Sequence, residues 1–469
     1  MSETSRGKSR GWLTWLGLGL FVLCFVVAVG LGLLGTSITL RRAESVTRQV
    51  IRPIAPGESD SAQWGINYPR QYDRFRRMVE SDSKTKFGGS YPRDYLEETP
   101  QLVILFAGSG FAKDYLQARG HVWSREDVLH TQRLTPTSPG ACWACKSADF
   151  PRLLMNISPA ELYAKPFAEL KAEMKHPIGC LDCHDPSTMK LTISRPALRE
   201  ALQAMGRDLS TISHQEMRSL VCAQCHVEYY FQGAGKYVVF PWEQGTSVEA
   251  MEQYYDKRQF ADWTHAISKT PLVKLQHPDY ELYLTGVHAY RDVACADCHM
   301  PYRTEGGVKF TDHHLRSALL NISGSCQVCH RWSEAEILAR VESIQGKVRA
   351  VRDRVEEELS QLHFEVAAAS QVGLSEEELA PVRLSIRRAH FRWDFVAAAN
   401  GMGFHSPAES LRILADSLYF ASQGRREITR LLTSRGVSLP IQVPEVVEKS
   451  AAQAVEKAFV AGSPPKLVP

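Results

Sequence analysis

The first forty residues carry the strongest hydrophobic pattern in the chain. Residues 1–10 are polar and basic, whereas residues 11–40 contain no charged side chain and are almost entirely apolar from Trp12 to Leu34. A run of this length can cross a bilayer as a helix. It is longer than the apolar core of most signal peptides, and no clear cleavage site follows it. We therefore favour an uncleaved transmembrane anchor with residues 1–10 in the cytoplasm; a cleaved signal segment is the alternative.

Both interpretations place the rest of the chain on the periplasmic side of the membrane. Residues 41–61 are polar with scattered prolines, which predicts a linker. Residues 62–331 are rich in glycine, proline and aromatic residues and show little alternation of polar and apolar positions. This texture predicts short helices and few strands.

Helix signals return in residues 332–435. Ser333 and Glu336 have the spacing of a capping box, which predicts the start of a long helix. Glycines mark the predicted ends of the later helices, and a Ser-Pro pair marks the start of the last one. The predicted helices span about residues 333–370, 381–398 and 406–435. We expect this region to form a packing or dimerisation surface, or simply a helical cover, and residues 436–469 to form a peripheral tail.

Ten of the eleven cysteines form five CxxC pairs. CxxCH is the attachment signature of c-type haem, in which both thiols bond to the porphyrin and the histidine binds iron. Zinc sites do not need a histidine after each second cysteine, and disulfide frameworks suit much shorter secreted chains. The sequence therefore predicts five covalent haems c. The pairs and the residues that follow them are Cys142, Cys145 and Lys146; Cys180, Cys183 and His184; Cys222, Cys225 and His226; Cys295, Cys298 and His299; and Cys326, Cys329 and His330.

One of the five motifs ends in Lys146 instead of histidine. A haem held by two histidines has no free axial position and only transfers electrons, whereas ligand identity and the distal pocket decide whether a haem reacts with substrate. Lysine binds iron only as the neutral amine. We therefore interpret the Lys146 site as the candidate catalytic haem with an open face. The alternative is a degenerate motif that holds a structural haem or none.

Two short segments contain side chains that could bind a metal ion or a substrate. One runs from His226 through Glu228 and Tyr229, so that a carboxylate and a phenol follow a haem ligand directly; the other is Lys274–Pro278, which contains Gln276 and His277. Carboxylate, amide and backbone oxygens are the ligands that calcium prefers. Tyrosine, histidine and arginine side chains beside an open haem would bind an anion and deliver protons.

These motifs resemble, in the same order, those of the pentahaem cytochrome c nitrite reductases. The matching stretches are CWACK, CAQCHVEYYF, KLQHP, CADCHMP, TDH and GFHSP, within a likeness that extends from about Trp64 to about Tyr419. The resemblance implies a mainly α-helical multihaem cytochrome c with a haem-packed core, few strands and long C-terminal helices. It also implies that residues 62–331 form the pentahaem catalytic region and that residues 332–435 supply one haem ligand.

The family pattern implies a role for each motif residue. Lys146 would be the proximal ligand of the active-site haem, with Arg133, Tyr229 and His277 as the catalytic residues of its distal pocket. The other proximal ligands would be His184, His226, His299 and His330. The distal ligands would be His121, His288, His313 and His405. Calcium would be bound by the side chains of Glu228 and Gln276 and the backbone carbonyls of Tyr229 and Lys274.

The implied activity is the respiratory, six-electron reduction of nitrite to ammonium. Four bis-histidine haems would carry electrons to the Lys146 haem. The expected partners are nitrite, an electron-donor cytochrome or a membrane tetrahaem quinol dehydrogenase subunit, and a second copy of the chain in a homodimer. A net charge of +3 and the lack of a basic repeat predict no nucleic-acid partner. The alternatives are a pure electron-transfer cytochrome and a reductase or oxidase of hydroxylamine, sulfite or tetrathionate.

Overall fold

The structure is a computed structural model that describes residues 9–46, 50–80 and 82–468. The chain divides into two compact units. The first comprises the chain up to Pro53 together with residues 304–308, and the second comprises residues 54–303 and 309 onward. Residues 1–8, which we expect in the cytoplasm, lie outside the described residues.

The first unit contains one long helix, α1, over Ser9–Val46. Its segment Gly11–Arg41 is 31 residues long with a mean hydropathy of 2.7, and none of its most apolar stretch is buried by protein. The length and composition are compatible with a membrane anchor or a signal segment. The helix continues into the stretch predicted to be a linker, because Arg41-Arg42-Ala43-Glu44 contains good helix formers.

The second unit is built mainly from short helices as far as residue 331. Helices α2 to α16 span Ser61–Gly65, Pro69–Arg76, Tyr95–Glu98, Gln101–Leu105, Ser124–His130, Asp149–Leu153, Pro159–Ala164, Phe167–Leu170, Cys180–Cys183, Pro196–Ala204, His214–Ala223, Val248–Lys257, Asp279–Leu284, Cys295–His299 and Ile322–Ser325. Short 3₁₀ helices span Arg77–Val79, Gly110–Ala112, His121–Trp123, Gly140–Cys145, Leu209–Thr211, Ala289–Arg291 and Ala318–Leu320.

Strands are few and short in the described chain. They pair as three two-stranded sheets, β1 with β2, β3 with β4 and β5 with β6. Strands β1 to β6 span Tyr230–Gln232, Tyr237–Val239, Trp263–Thr264, Pro271–Leu272, Tyr302–Glu305 and Val308–Thr311. The predicted fold class, mainly α with few strands, is therefore confirmed.

Three long helices, α17, α18 and α19, follow the short ones, spanning Glu334–Gln371, Glu376–Ala397 and Pro407–Ser434. The capping box of Ser333 and Glu336 opens α17, as the sequence predicts. Helix α18 begins five residues before the predicted start at Pro381. The reason is a second capping box, in which Ser375 and Glu378 satisfy backbone N–H groups upstream of the proline.

The C-terminal segment is more firmly packed than the predicted peripheral tail. Helix α20 spans Lys449–Val460 and buries Ala452 and Phe459. Its Lys449 ammonium pairs with the Asp94 carboxylate at 2.5 Å, and Glu456 accepts the Gly108 N–H at 3.1 Å. Apolar residues at helical spacing give α20 one buried face, which is the physical reason that it docks.

Gly424 in α19 marks a close approach of α17, α18 and α19. A Cβ at this position would lie 2.8 Å from Leu362 Cδ2 of α17 and 3.2 Å from Ser385 Cβ of α18. A side chain at this position would therefore require Leu362 and Ser385 to move, and glycine avoids that rearrangement.

We predict that Gly424→Ala lowers the free energy of unfolding by about 1–3 kcal/mol, because the added methyl group overpacks the helix interface. The matched control is Gly346→Ala in α17, where an added Cβ meets nothing within 4 Å. This control should be neutral or stabilising by about 0.5–1 kcal/mol. Guanidinium unfolding followed by circular dichroism measures both, and equal effects of the two variants would contradict the packing argument.

Candidate active site

Each CxxC motif occupies a single helical turn, which brings both thiols and the following residue to one side of the turn. The backbone N–H groups of His184, His226 and His330 donate to the carbonyl of the first cysteine of their own motif, at 2.9–3.0 Å. Lys146 departs from this pattern, because its N–H donates to Trp143 O at 3.0 Å, one residue closer. The lysine motif thus differs from these three histidine motifs in backbone as well as in side chain.

The expected proximal and distal histidines lie in pairs. Two imidazoles that bind one metal ion from opposite sides, each through a bond of about 2 Å, have ring centroids about 6.3 Å apart. The structure holds each pair at this spacing, so the residues present fit bis-histidine haem sites. The pairs and their centroid distances are His121–His226 (6.4 Å), His184–His313 (6.3 Å), His288–His330 (6.4 Å) and His299–His405 (6.3 Å).

The motifs also lie next to one another. The Cys145 thiol of the lysine motif lies close enough to the Cys225 thiol for each to shift the pKa of the other. The Cys222 thiol of the same histidine motif and the Cys295 thiol of the next motif shift each other's pKa in the same way. The three sites therefore follow one another in space, with the His226 motif between the other two.

The expected distal residues His277 and Tyr229 are close together beside the lysine motif. The His277 ring lies 6.5 Å from the Tyr229 ring and 6.4 Å from the His226 ring, centroid to centroid. Burial lowers the pKa of His277 to about 3. Burial also raises the pKa of Tyr229 well above its usual range. At neutral pH His277 is therefore an uncharged imidazole and Tyr229 a protonated phenol.

His277 has an unsatisfied buried atom. Its Nδ1 is buried without a hydrogen-bond partner among the residues that the structure describes. A buried polar atom without a partner is costly in free energy, so its presence at this position favours a polar ligand.

Arg133 lies at the edge of the same motif. Its Nε donates to Thr131 Oγ1 at 3.1 Å, and its guanidinium lies 4.4 Å from the centre of the Phe111 ring. Its charge lowers the pKa of the Cys142 thiol, although burial outweighs it and raises that pKa to about 11. Arg133 is thus near the lysine motif, while the structure gives it no direct contact with His277 or Tyr229.

The residues expected to bind calcium converge. Glu228 is fully buried, and its carboxylate accepts the Tyr255 hydroxyl at 2.7 Å and the Gln276 backbone N–H at 2.5 Å. Gln276 Nε2 donates to the Lys274 carbonyl at 3.0 Å. Hydrogen bonds therefore link Glu228 to Gln276 and Gln276 to Lys274.

Two further acids lie near Glu228, the buried Glu281 and the solvent-exposed Asp262. Burial is the main cause that raises the pKa of Glu228 well above its usual range, and Glu281 and Asp262 add to it. Burial likewise raises the pKa of Glu281 to about 8. A bound cation would relieve this clustering of acids, so the donor set fits calcium. Over the described ranges, no group of three or more His, Cys, Asp or Glu side chains forms a ready metal site.

Comparison with known proteins identifies the family. The cytochrome c552 family model matches residues 60–462. The chain is 44% identical over 458 residues to a cytochrome c-552 of Porphyromonas gingivalis, covering 96% of this chain and 92% of the relative. It is 40% identical over 454 residues to a cytochrome c-552 of Desulfotalea psychrophila, covering 92% and 87% of the two chains. The chain belongs to the cytochrome c552 family.

A solved structure also matches this cytochrome c552 family member. The catalytic subunit of cytochrome c nitrite reductase from Desulfovibrio desulfuricans superimposes with a TM-score of 0.77 and 30% sequence identity. The match covers 81% of this chain and 88% of that chain. The family resemblance inferred from the CxxC motifs is therefore confirmed.

Two site residues of this cytochrome could not be found from the sequence. Asp394 of α18 accepts the Lys274 ammonium at 2.9 Å and the Leu275 N–H at 2.8 Å. Asp279 accepts hydrogen bonds from the backbone N–H and from the side-chain amide of Asn400. Both carboxylates hold the 274–279 segment in place, but their partners are more than a hundred residues away in sequence, and no local spacing marks them.

Proposed function

We propose that this protein reduces nitrite to ammonium. The observation that carries the proposal is Lys146 in place of histidine, beside His277 and Tyr229, in a chain that shares its fold with a cytochrome c nitrite reductase. The reaction takes up six electrons and eight protons per nitrite and releases ammonium and two water molecules. A site for it must therefore receive electrons singly and deliver protons repeatedly.

Five haems c would be bound through the ten paired cysteines. We infer that the four histidine pairs ligate four of them. The proximal ligands would be His184, His226, His299 and His330, and their distal partners would be, in the same order, His313, His121, His405 and His288. Lys146 would ligate the fifth. When bound, four of these haems would pass electrons along the chain of sites, and the haem held by Lys146 would supply the iron that reacts with substrate.

The pocket residues have complementary tasks. Arg133 would provide positive charge for the nitrite anion and for the charge that develops on its oxygens. His277 is neutral at pH 7, so it can donate a proton from one nitrogen while the other accepts one. Tyr229 keeps its hydroxyl proton and can donate a hydrogen bond to a substrate oxygen. These assignments give the site one cation and two neutral proton carriers.

We further propose that calcium binds beside this pocket. The nitrite reductase of Desulfovibrio desulfuricans has two calcium sites. Here Glu228 and Gln276 would bind the ion through side chains, and Tyr229 and Lys274 through backbone carbonyls. Because Tyr229 and His277 directly follow ligand residues in sequence, the ion would hold both pocket residues in position.

The cellular setting follows from the N-terminal helix. We propose that α1 anchors the protein and that its haem domain lies on the periplasmic side. Electrons would come from a donor cytochrome or a membrane tetrahaem quinol dehydrogenase subunit. Two copies would associate through the C-terminal helices; Leu384 of α18 and Tyr419 of α19 are apolar residues exposed on them, which supports a contact surface there.

Lys146→His should keep five haems but lower nitrite turnover by roughly 10- to 100-fold. The reason is that a different iron ligand changes both the electronic properties of the iron and the shape of the pocket. Haem content is measured by the pyridine haemochrome spectrum and mass spectrometry, and turnover by ammonium release. Lys171→His, an exposed position beyond α9, is the matched control and should retain full activity. Unchanged kinetics in Lys146→His would contradict the special role of this lysine.

Glu228→Gln should weaken calcium binding by about tenfold or more, because the variant removes the charged ligand. Metal analysis after dialysis against a weak chelator measures the bound ion, and added calcium should restore nitrite turnover partly. Glu356→Gln, another buried carboxylate, which pairs with Arg352, serves as the control and should keep its calcium. Equal calcium content in both variants would argue against Glu228 as a ligand.

A further inference from the structure

Asp279 is a buried carboxylate at the start of α14, two residues after His277. Asn400, just beyond α18, donates its backbone N–H to Asp279 Oδ1 at 2.8 Å and its side-chain amide to Oδ2 at 2.7 Å. Among the described residues it has no ion pair with lysine or arginine. The carboxylate is therefore held rigidly, and its negative charge is not neutralised by a basic side chain.

This carboxylate faces two of the histidines that we propose as haem ligands. Its Oδ2 lies 3.5 Å from His226 Nδ1, and its Oδ1 lies 3.7 Å from His405 Nδ1. His226 is paired with His121, whereas His405 is paired with His299. One carboxylate thus stands between two different histidine pairs, with one oxygen toward each.

Other ligand histidines have neutral partners at the same ring position. His184 Nδ1 lies 2.9 Å from Met189 O, and His299 Nδ1 lies 3.0 Å from Arg316 O. His313 Nδ1 lies 2.7 Å from Thr311 O. These partners are backbone carbonyls without net charge. His226 and His405 therefore differ from them in facing a full negative charge.

A negative charge at the outer nitrogen of a metal-bound imidazole makes the ring a stronger electron donor. Stronger donation stabilises the oxidised iron and lowers the reduction potential. The distances to Asp279 are longer than in a strong hydrogen bond, but the charge of this buried carboxylate still acts over this range.

We propose that Asp279 is a shared positioning residue for two haems, which orients His226 and His405 and lowers both reduction potentials together. The inference rests on the haem ligation given under the proposed function. The two sites adjoin through Cys222 and Cys295, and the His226 site also adjoins the lysine motif through Cys225. Lower potentials at these two neighbouring sites would favour electron transfer onward to the Lys146 site.

The test is a redox titration of the purified five-haem protein without nitrite, followed by visible and electron paramagnetic resonance spectroscopy. In Asp279→Asn, two of the five midpoint potentials should shift upward together and three should stay in place. Asp279→Glu retains the charge and should keep both potentials near those of the unaltered protein. Glu356→Gln, which removes a buried charge outside the haem sites, should shift none.

Three results would overturn the proposal: no potential moves in Asp279→Asn, all five move alike, or Asp279→Glu shifts them as Asp279→Asn does. If Asp279→Asn fails to carry five haems, Asn400→Ala replaces it, and the same two potentials should rise by a smaller amount; unchanged potentials there would also refute the proposal. Because the titration contains no nitrite, its outcome is independent of whether the protein reduces nitrite.

Discussion

The structure depends on a short covalent constraint, the CxxC turn that presents two thiols and one iron ligand on the same side of the backbone. Five such turns follow one another along the second unit, and the turns that end at Lys146, His226 and His299 lie next to one another at their cysteines. Short helices and loops connect them, since a haem-packed core leaves little room for an extended sheet. Within this pattern Lys146 differs from His184, His226 and His330 in both side chain and backbone hydrogen bond.

Local features were predictable and long-range ones were not. The CxxC motifs and the capping box at Ser333 depend on residues within one or two turns, so the sequence contains the whole signal. The histidine pairs depend on contacts across the chain, as with His184 and His313, and spacing alone does not select them; the family resemblance was needed. The early start of α18 was missed because its capping box precedes a proline that itself resembles a helix start.

The C-terminal helices do more than cover the haem region. Asp394 of α18 binds Lys274 and Leu275, and Asn400 just beyond that helix binds Asp279. The segment from Lys274 to Asp279 contains His277 and two of the proposed calcium ligands, so the end of α18 holds in place the segment on which the proposed pocket and calcium site depend. Rigid support of this kind is what reactive geometry requires.

The central claim is that Lys146, Arg133, Tyr229 and His277 form a site for the complete reduction of nitrite. The most direct measurement supplies ¹⁵N-nitrite and a low-potential reductant to the purified protein under anaerobic conditions and quantifies the labelled products. We expect one labelled ammonium per nitrite consumed, with six electrons used and no other nitrogen product accumulating. Intact five-haem protein that consumes no nitrite, or that releases nitric oxide as the main product, would contradict it.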